Sequence, residues 1–185
     1  MKTSRRGTTA AAAALLSTTV LCWSPATTSA LEDQYSIDAA CSAGLAVSGS
    51  LTAATLGLEA GSSLGLGPSF VLRGGLGASR WNAHGAPPHF GGRLHADLLY
   101  AFDILRVVPA LGIGVSVEGL RGSATSTDRQ LSVLAGPHFA SSFDYLLSRN
   151  TSLALDLRGR ILFGAGHTVI VAPEARLRVS WLIDS

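Results

Sequence analysis

Apolar residues recur at every second position along most of this chain, and no segment shows the spacing of an amphipathic helix. In the segment VVPALGIGVSVE, residues 107–118, one alternate set is Val, Pro, Leu and Ile, whereas the other is rich in Ala, Gly, Ser and Glu. A period of two is typical of β-strands. The pattern predicts eight strands, at residues 41–48, 54–61, 70–79, 93–102, 107–118, 131–140, 152–163 and 171–181.

The two faces of the predicted strands differ in a way that favours a membrane barrel. One face is continuously apolar, and the other is mostly Gly, Ala and Ser with a few charged residues. A soluble barrel or sandwich would instead turn a face rich in Lys, Glu, Thr and Gln to water. Small residues suit a narrow interior, an apolar outer face suits lipid, and a sheet in hydrocarbon must close on itself. The fold class predicted is therefore all-β, an antiparallel up-and-down transmembrane β-barrel; a soluble periplasmic barrel is the less favoured alternative.

The few charged residues of the strands share the face predicted to line the lumen. Because an unpaired charge in a narrow interior is costly, the near balance of six Arg and five acids favours a structural network of ion pairs. The alternative is a selective conduit built from the four arginines at residues 158, 160, 176 and 178. The predicted lumen network is Glu59, Arg73, Arg93, Asp97, Glu118, Asp156, Arg158, Arg160, Glu174, Arg176 and Arg178. His95 and His138 share its face and are candidates to join it.

Aromatic residues cluster near the predicted strand ends, where membrane barrels carry interfacial girdles. Ordinary core packing is the alternative interpretation. The predicted interfacial aromatics are Trp81, Tyr100, Phe102, Tyr145, Phe163 and Trp181.

The connections between the strands give an independent indication of how the predicted barrel is oriented in the membrane. With the last strand ending in the periplasm, the connections at residues 81–92, 121–129 and 164–167 are predicted to be extracellular. Those at residues 65–68, 103–106 and 145–150 are predicted to be periplasmic. The two longest connections then lie outside, as such barrels prefer.

Residues 1–30 have the form of a secretory signal peptide, with a basic start, an apolar stretch and a small-residue cleavage site after Ala30, with Ala26 as the alternative. We expect residues 31–39 to be a lead-in and residues 40–185 to form the barrel. Cleavage removes Cys22, so Cys41 would be the only thiol and no internal disulfide could form. It also removes three of the fourteen basic residues, which leaves eleven Arg against twelve acids. This balance provides no basic stripe for nucleic acid.

The segments LLYAFDILRVVPALGIGVSVEG, FDYLLSRNTSLALDLRGRILF and EARLRVSWLIDS resemble those of small eight-stranded outer-membrane barrels of the OmpA and OmpX type. The resemblance covers residues 40–185 and implies a porin-like architecture in a Gram-negative outer membrane. It also implies a monomer with outer-membrane lipid, periplasmic chaperones and the barrel-assembly machinery as partners. Such barrels usually end in an aromatic residue, whereas here Trp181 is followed by Leu-Ile-Asp-Ser, so recognition would use Trp181 or Ile183.

No pattern in the sequence indicates a catalytic, cofactor or metal site. The histidines form no metal-ligand spacing, and the glycines of residues 61–77 precede no helix. His138 with Ser141 or Ser142, and His167 with Thr168, are the only approaches to an acyl-transfer pair, and neither has a positioned acid. The function predicted is a structural barrel with a filled lumen and a possible surface-interaction role. The alternatives are an OmpW-like conduit for small apolar molecules and, third, a lipid A-modifying enzyme.

Overall fold

The computed structural model describes residues 34–49, 51–102, 107–121, 131–165 and 168–183. The predicted signal peptide therefore lies outside the described residues. Eight strands account for nearly all of the described chain: β1 Tyr35–Ser48, β2 Leu51–Gly65, β3 Phe70–Ala83, β4 His89–Ala101, β5 Val107–Arg121, β6 Leu131–Leu146, β7 Thr151–Phe163 and β8 Val169–Ile183. The described residues contain no helix long and apolar enough to cross a membrane.

The strands form one closed antiparallel barrel in which each pairs with its neighbours in sequence and β8 returns to β1. Tyr35 pairs with Leu64 of β2 on one side and with Ile183 of β8 on the other. Closure leaves no sheet edge without a hydrogen-bonding partner strand. The predicted fold, an eight-stranded antiparallel up-and-down barrel, is confirmed.

Most of the strands extend beyond the predicted ones. β1 begins at Tyr35 rather than at residue 41, so part of the predicted lead-in at residues 31–39 belongs to the barrel. β3 and β4 reduce the predicted connection at residues 81–92 to residues 84–88. Phe102, predicted at the end of the fourth strand, follows β4.

The barrel has two distinct ends. The loop end is where β1 meets β2, β3 meets β4, β5 meets β6 and β7 meets β8, and the terminal end carries the start of β1, the end of β8 and the other three junctions between strands. Gly49 and Gly85 adopt positive φ angles of 57° and 74° in two turns of the loop end, a conformation that favours glycine.

Two prolines on the outward face interrupt the pairing of the wall. The β6–β7 register has pairs at Ala135 and at His138 but none at Pro137. The β1–β8 register likewise skips Pro173. Proline has no N–H to donate, so the ladder is interrupted on one side of each proline, whereas Pro137 pairs with Val115 and Pro173 with Gly159 on the other side. Both interruptions lie in the half of the barrel nearer the loop end.

Candidate functional site: the charged interior

The structure places the whole predicted lumen network inside the barrel. Alternation along each strand turns these side chains inward, and every one of them is buried. They are Glu59, Arg73, Arg93, Asp97, Glu118, Asp156, Arg158, Arg160, Glu174, Arg176 and Arg178. The apolar residues of the opposite parity are exposed on the outside. The interior thus holds three connected groups of charges, stacked along the barrel.

The group nearest the loop end is centred on Arg93. Its Nη1 atom lies 2.8 Å from Glu59 Oε1 and 2.8 Å from Glu174 Oε1, and its Nη2 atom lies 3.4 Å from Glu118 Oε1. Arg160 joins the same carboxylates from β7, at 3.0 Å from Glu118 Oε2 and 2.7 Å from Glu174 Oε2. Two guanidinium groups therefore bridge three carboxylates supplied by three other strands.

The middle group contains the histidines that share the lumen face. Asp97 contacts His138 Nε2 and accepts a hydrogen bond of 2.6 Å from Arg158 Nη2. Arg176 donates from Nη2 to Asp38 Oδ1 over 3.0 Å. The Nδ1 atom of His95 lies 3.7 Å from a Glu59 carboxylate oxygen, so this group adjoins the one at the loop end.

The group nearest the terminal end surrounds Asp156. Arg178 donates from Nε to Asp156 Oδ2 over 3.1 Å, and Ser142 donates to Asp156 Oδ1 over 2.6 Å. Arg178 also donates from Nη2 to Asp144 Oδ1 over 2.7 Å. Arg73 completes the group, with its Nη1 atom 3.4 Å from Asp156 Oδ1.

Two carboxylates of the interior are absent from the predicted network. Asp38 lies in the part of β1 predicted as lead-in, and Asp144 lies beyond the predicted end of the sixth strand. Both follow the inward parity, Asp38 with Ser36 and Asp144 with Ser142, so continued alternation is the signal that finds them. With them, six arginines face seven acids: Asp38, Glu59, Asp97, Glu118, Asp144, Asp156 and Glu174.

Apolar layers close the interior above and below the charges. At the loop end, Trp81, Leu120, Leu134 and Leu162 form a buried cluster with two alanines. At the terminal end, Leu99 packs with Ala101, Ala110 and Ala140. Outside these layers lie two open cavities, of about 470 Å³ at the loop end and about 310 Å³ at the terminal end.

The predicted interfacial aromatics fall into two classes. Five are at least a third exposed on the outer surface: Tyr100, Phe102, Tyr145, Phe163 and Trp181. The assignment of Trp81 to this surface is wrong, because its side chain faces inward, is only 5% exposed and donates a hydrogen bond to Glu118. Its position in β3 has the inward parity of Arg73 and Ser79, which the prediction overlooked by treating it as part of a connection.

The groups considered for acyl transfer have other partners. His138 contacts Asp97, whereas the hydroxyl of Ser142 donates to Asp156 in a different charged group. His167 lies outside the described residues. Within the described ranges, no group of three or more His, Cys, Asp and Glu side chains is arranged to hold a metal ion.

Comparison with known proteins relates the chain to others through its fold. No protein-family model matches it, and no curated protein matches its sequence. The barrel is similar to Neisserial surface protein A, NspA, with a TM-score of 0.63 and 18% identity over 80% of this chain and 96% of that one. It is similar to the N-terminal β-barrel domain of Pseudomonas aeruginosa OprF, with a TM-score of 0.56 and 15% identity over 82% and 98% of the two chains. The outer membrane protein OprG from Pseudomonas aeruginosa gives a TM-score of 0.56 and 10% identity over 83% and 97%.

These neighbours are small outer-membrane barrels, so the resemblance predicted from the sequence is confirmed at the level of the fold. At such low identity the likeness carries no residue roles from one protein to another. What this barrel does must be argued from its own side chains.

Proposed function

We propose that this protein is a monomeric outer-membrane barrel of a Gram-negative bacterium, with a closed interior and a structural or surface-interaction role. The observation that carries the proposal is the separation of side chains between the two faces of the wall. Six arginines and seven acids face inward, whereas the outer surface is covered with exposed Leu, Ile, Val and aromatic residues. In water, an apolar surface of this extent would promote aggregation.

The membrane accounts for both faces at once. Lipid solvates the outward apolar side chains, while closure of the sheet satisfies the backbone without water. The strands contain 13 to 16 residues each, which is enough to cross the hydrocarbon core at the usual tilt. Export through the signal peptide of residues 1–30, followed by periplasmic chaperones and the barrel-assembly machinery, would deliver the chain there.

The interior argues against bulk transport. An eight-stranded barrel is only wide enough for its side chains to fill it. Here three groups of ion pairs fill the middle, and Leu162 and Leu99, 0% and 1% exposed, belong to the apolar layers at the two ends. A continuous water path would require both layers and several buried ion pairs to separate.

Membrane fractionation and bilayer recordings test the two parts of this proposal separately. We expect the protein in the outer-membrane fraction, with gel migration that changes on heating, and no sustained conductance after reconstitution in planar bilayers. A freely soluble periplasmic product would refute the membrane assignment. Sustained, large ion conductance from a correctly folded sample would refute the closed interior.

A narrow conduit or binding site for small apolar molecules is the second candidate. The observation that favours it is the 470 Å³ cavity at the loop end, whose wall includes Trp81, Leu120, Leu134 and Ile170. Titration of the reconstituted protein with an apolar probe, followed by tryptophan fluorescence, tests binding at this cavity. Uptake of the same probe by proteoliposomes above the rate of empty vesicles would favour a conduit over the closed barrel.

A further inference from the structure

Charge on the outer wall of the barrel is confined to one place. Among the described strand residues of outward parity, only Arg80 and Arg121 are charged, and both are exposed. All the acidic residues of these strands have the inward parity. Two cations on an otherwise uncharged and largely apolar wall are costly in hydrocarbon unless they lie at its boundary.

The two arginines belong to one registered row. Arg80 of β3 pairs with Phe90 of β4, and Phe90 pairs with Arg121 of β5. Because neighbouring strands lie about 4.8 Å apart, the row is about 10 Å wide. The Arg80 guanidinium carbon lies 5.7 Å from the centre of the Phe90 ring, and Nε donates to Asn82 Oδ1 over 2.9 Å. Within the described ranges, no carboxylate lies at ion-pair distance from either arginine.

The row lies at the level expected for lipid headgroups. Along β3, Phe70 packs edge-to-face with Tyr100 near the terminal end, and the outward residues between Phe70 and Arg80 are uncharged. Ten residues of a strand tilted by about 40° rise roughly 25 Å, which is the height of the apolar band of such barrels. Arg80 therefore lies one hydrocarbon thickness from the aromatic residues at the opposite end.

A shallow recess adjoins the row on its membrane side. The next outward row is Ala78, Gly92 and Gly119, which are paired in register and small. The row after that is Leu76, Leu94 and Val117, which are large and exposed. From the loop end towards the middle of the barrel, the surface thus offers two cations, then a recess, then an apolar wall. A glycolipid presents a phosphate, a sugar and acyl chains in the same order.

We propose that Arg80, Phe90 and Arg121 form a binding site for a phosphate group of the phosphorylated glycolipid in the outer leaflet. The site rests on the proposed membrane location. Guanidinium groups bind phosphate through two parallel N–H donors, and the Phe90 ring holds one of them by a cation–π contact. The sugar occupies the recess beside Gly92, and the acyl chains lie against Leu94.

The test uses the full-length protein purified in a nonionic detergent, with native mass spectrometry as the readout. The probes are lipid A carrying both phosphates, the same lipid dephosphorylated, and inorganic phosphate. The variants are Arg80→Gln, Arg121→Gln and both together. Arg149→Gln is the matched control, since it removes the same charge from an exposed connection at the terminal end.

We expect the wild type to prefer the phosphorylated lipid by about tenfold or more, in line with the energy of charge-assisted hydrogen bonds. The double variant should lose this preference, each single variant should lose part of it, and Arg149→Gln should retain it. Equal binding of the two lipids by the wild type would overturn the proposal, as would an equal loss in Arg149→Gln. Displacement of the lipid by inorganic phosphate at the same concentration would also overturn it, because the site would then not be specific for a lipid.

Fractionation of the same variants distinguishes a failure of the binding-site proposal from a failure of the proposed membrane location. All of them should reach the outer membrane and show heat-modifiable migration, because both arginines are exposed. Protein that reaches the membrane but does not discriminate between the lipids refutes the binding site alone. Wild-type protein absent from the membrane refutes the location on which the site depends.

Discussion

The indole of Trp81 donates its N–H to Glu118 Oε1 over 2.7 Å, and both side chains are buried inside the barrel. Indole has one donor and no acceptor, so this single bond satisfies it. Glu118 also pairs with Arg160 at 3.0 Å. The tryptophan therefore joins the apolar layer of the loop end to the charged group beneath it.

Replacing Trp81 by Phe should destabilise the barrel by about 2 kcal/mol or more. The substitution keeps an aromatic ring in the layer but removes a donor from a buried carboxylate, and hydrogen bonds to charged groups are the stronger ones. Urea unfolding in vesicles, followed by the heat-modifiable fraction on gels, measures the change. Trp181→Phe is the control, because Trp181 is 45% exposed on the outer surface. Equal losses in the two variants would mean that the bond to Glu118 contributes nothing specific.

Replacing Asp97 by Asn should cost about 3–5 kcal/mol, or prevent folding, because it removes one partner of a buried charge pair. The only carboxylate left within ion-pair distance of Arg158 among the described residues would then be Glu59, whose Oε2 atom lies 3.7 Å from Nη1. The same change at Asp144, whose side chain is 19% exposed, should cost about 1 kcal/mol or less because water screens its pair with Arg178. Unfolding midpoints of the two variants in the same vesicles provide the comparison. A variant at Asp97 as stable as that at Asp144 would contradict a tightly packed network.

Adjacent residues of β7 provide a test of the two faces. Leu162→Ala should cost about 2–5 kcal/mol, since Leu162 is 0% exposed and its loss leaves a cavity in the loop-end layer. Ile161→Ala should cost clearly less, since Ile161 is 44% exposed and lipid can fill the space. The difference in unfolding free energy between the variants reports the direction of each side chain. A larger loss at Ile161 would reverse the assignment of the faces.

The alternation of residue types is sufficient to predict the strands and the eleven lumen charges, and closure follows from placing the apolar face in lipid. A period-two pattern assigns every second side chain to one face regardless of the exact strand ends. Glu118 and Arg160, for example, can be assigned inward from their apolar neighbours alone. Their partners cannot be predicted in this way, because each ion pair joins distant strands and depends on register and barrel curvature.

The interior residues that the sequence does not identify lie where strands continue beyond their predicted ends. Trp81 and Asn82 adjoin the Gly-Ala-Pro-Pro segment of residues 85–88, so the pattern indicates a connection. Pairing of both residues with β2, and of Trp81 with β4, keeps them in β3. Asp38 and Asp144 are absent from the predicted network because the predicted strands stop at residues 41 and 140, whereas β1 begins at Tyr35 and β6 continues to Leu146. Tertiary pairing, rather than local propensity, determines where such strands stop.

Gly114 of β5 faces inward beneath the contact between Asp97 and His138. A methyl group built at this position would crowd the backbone carbonyl oxygen of Ala96 and would lie 2.5 Å from Asp97 Oδ1 and 2.5 Å from His138 Nε2. Gly114→Ala should therefore displace this contact and destabilise the barrel by about 1–3 kcal/mol, the usual cost of overpacking. Thermal unfolding in a detergent that preserves heat-modifiable migration measures the loss.

Gly159→Ala is the matched control, because a methyl group at Gly159 meets nothing within 4 Å. Gly159 lies on the outward face of β7, where it pairs with Pro173. Its replacement should be neutral or stabilising by up to about 1 kcal/mol, through reduced freedom of the unfolded chain. If Gly114→Ala were as stable as Gly159→Ala, the interior around Asp97 would have room for a further methyl group. The interior would then be more loosely packed than a closed barrel requires, and the expected absence of conductance would need another explanation.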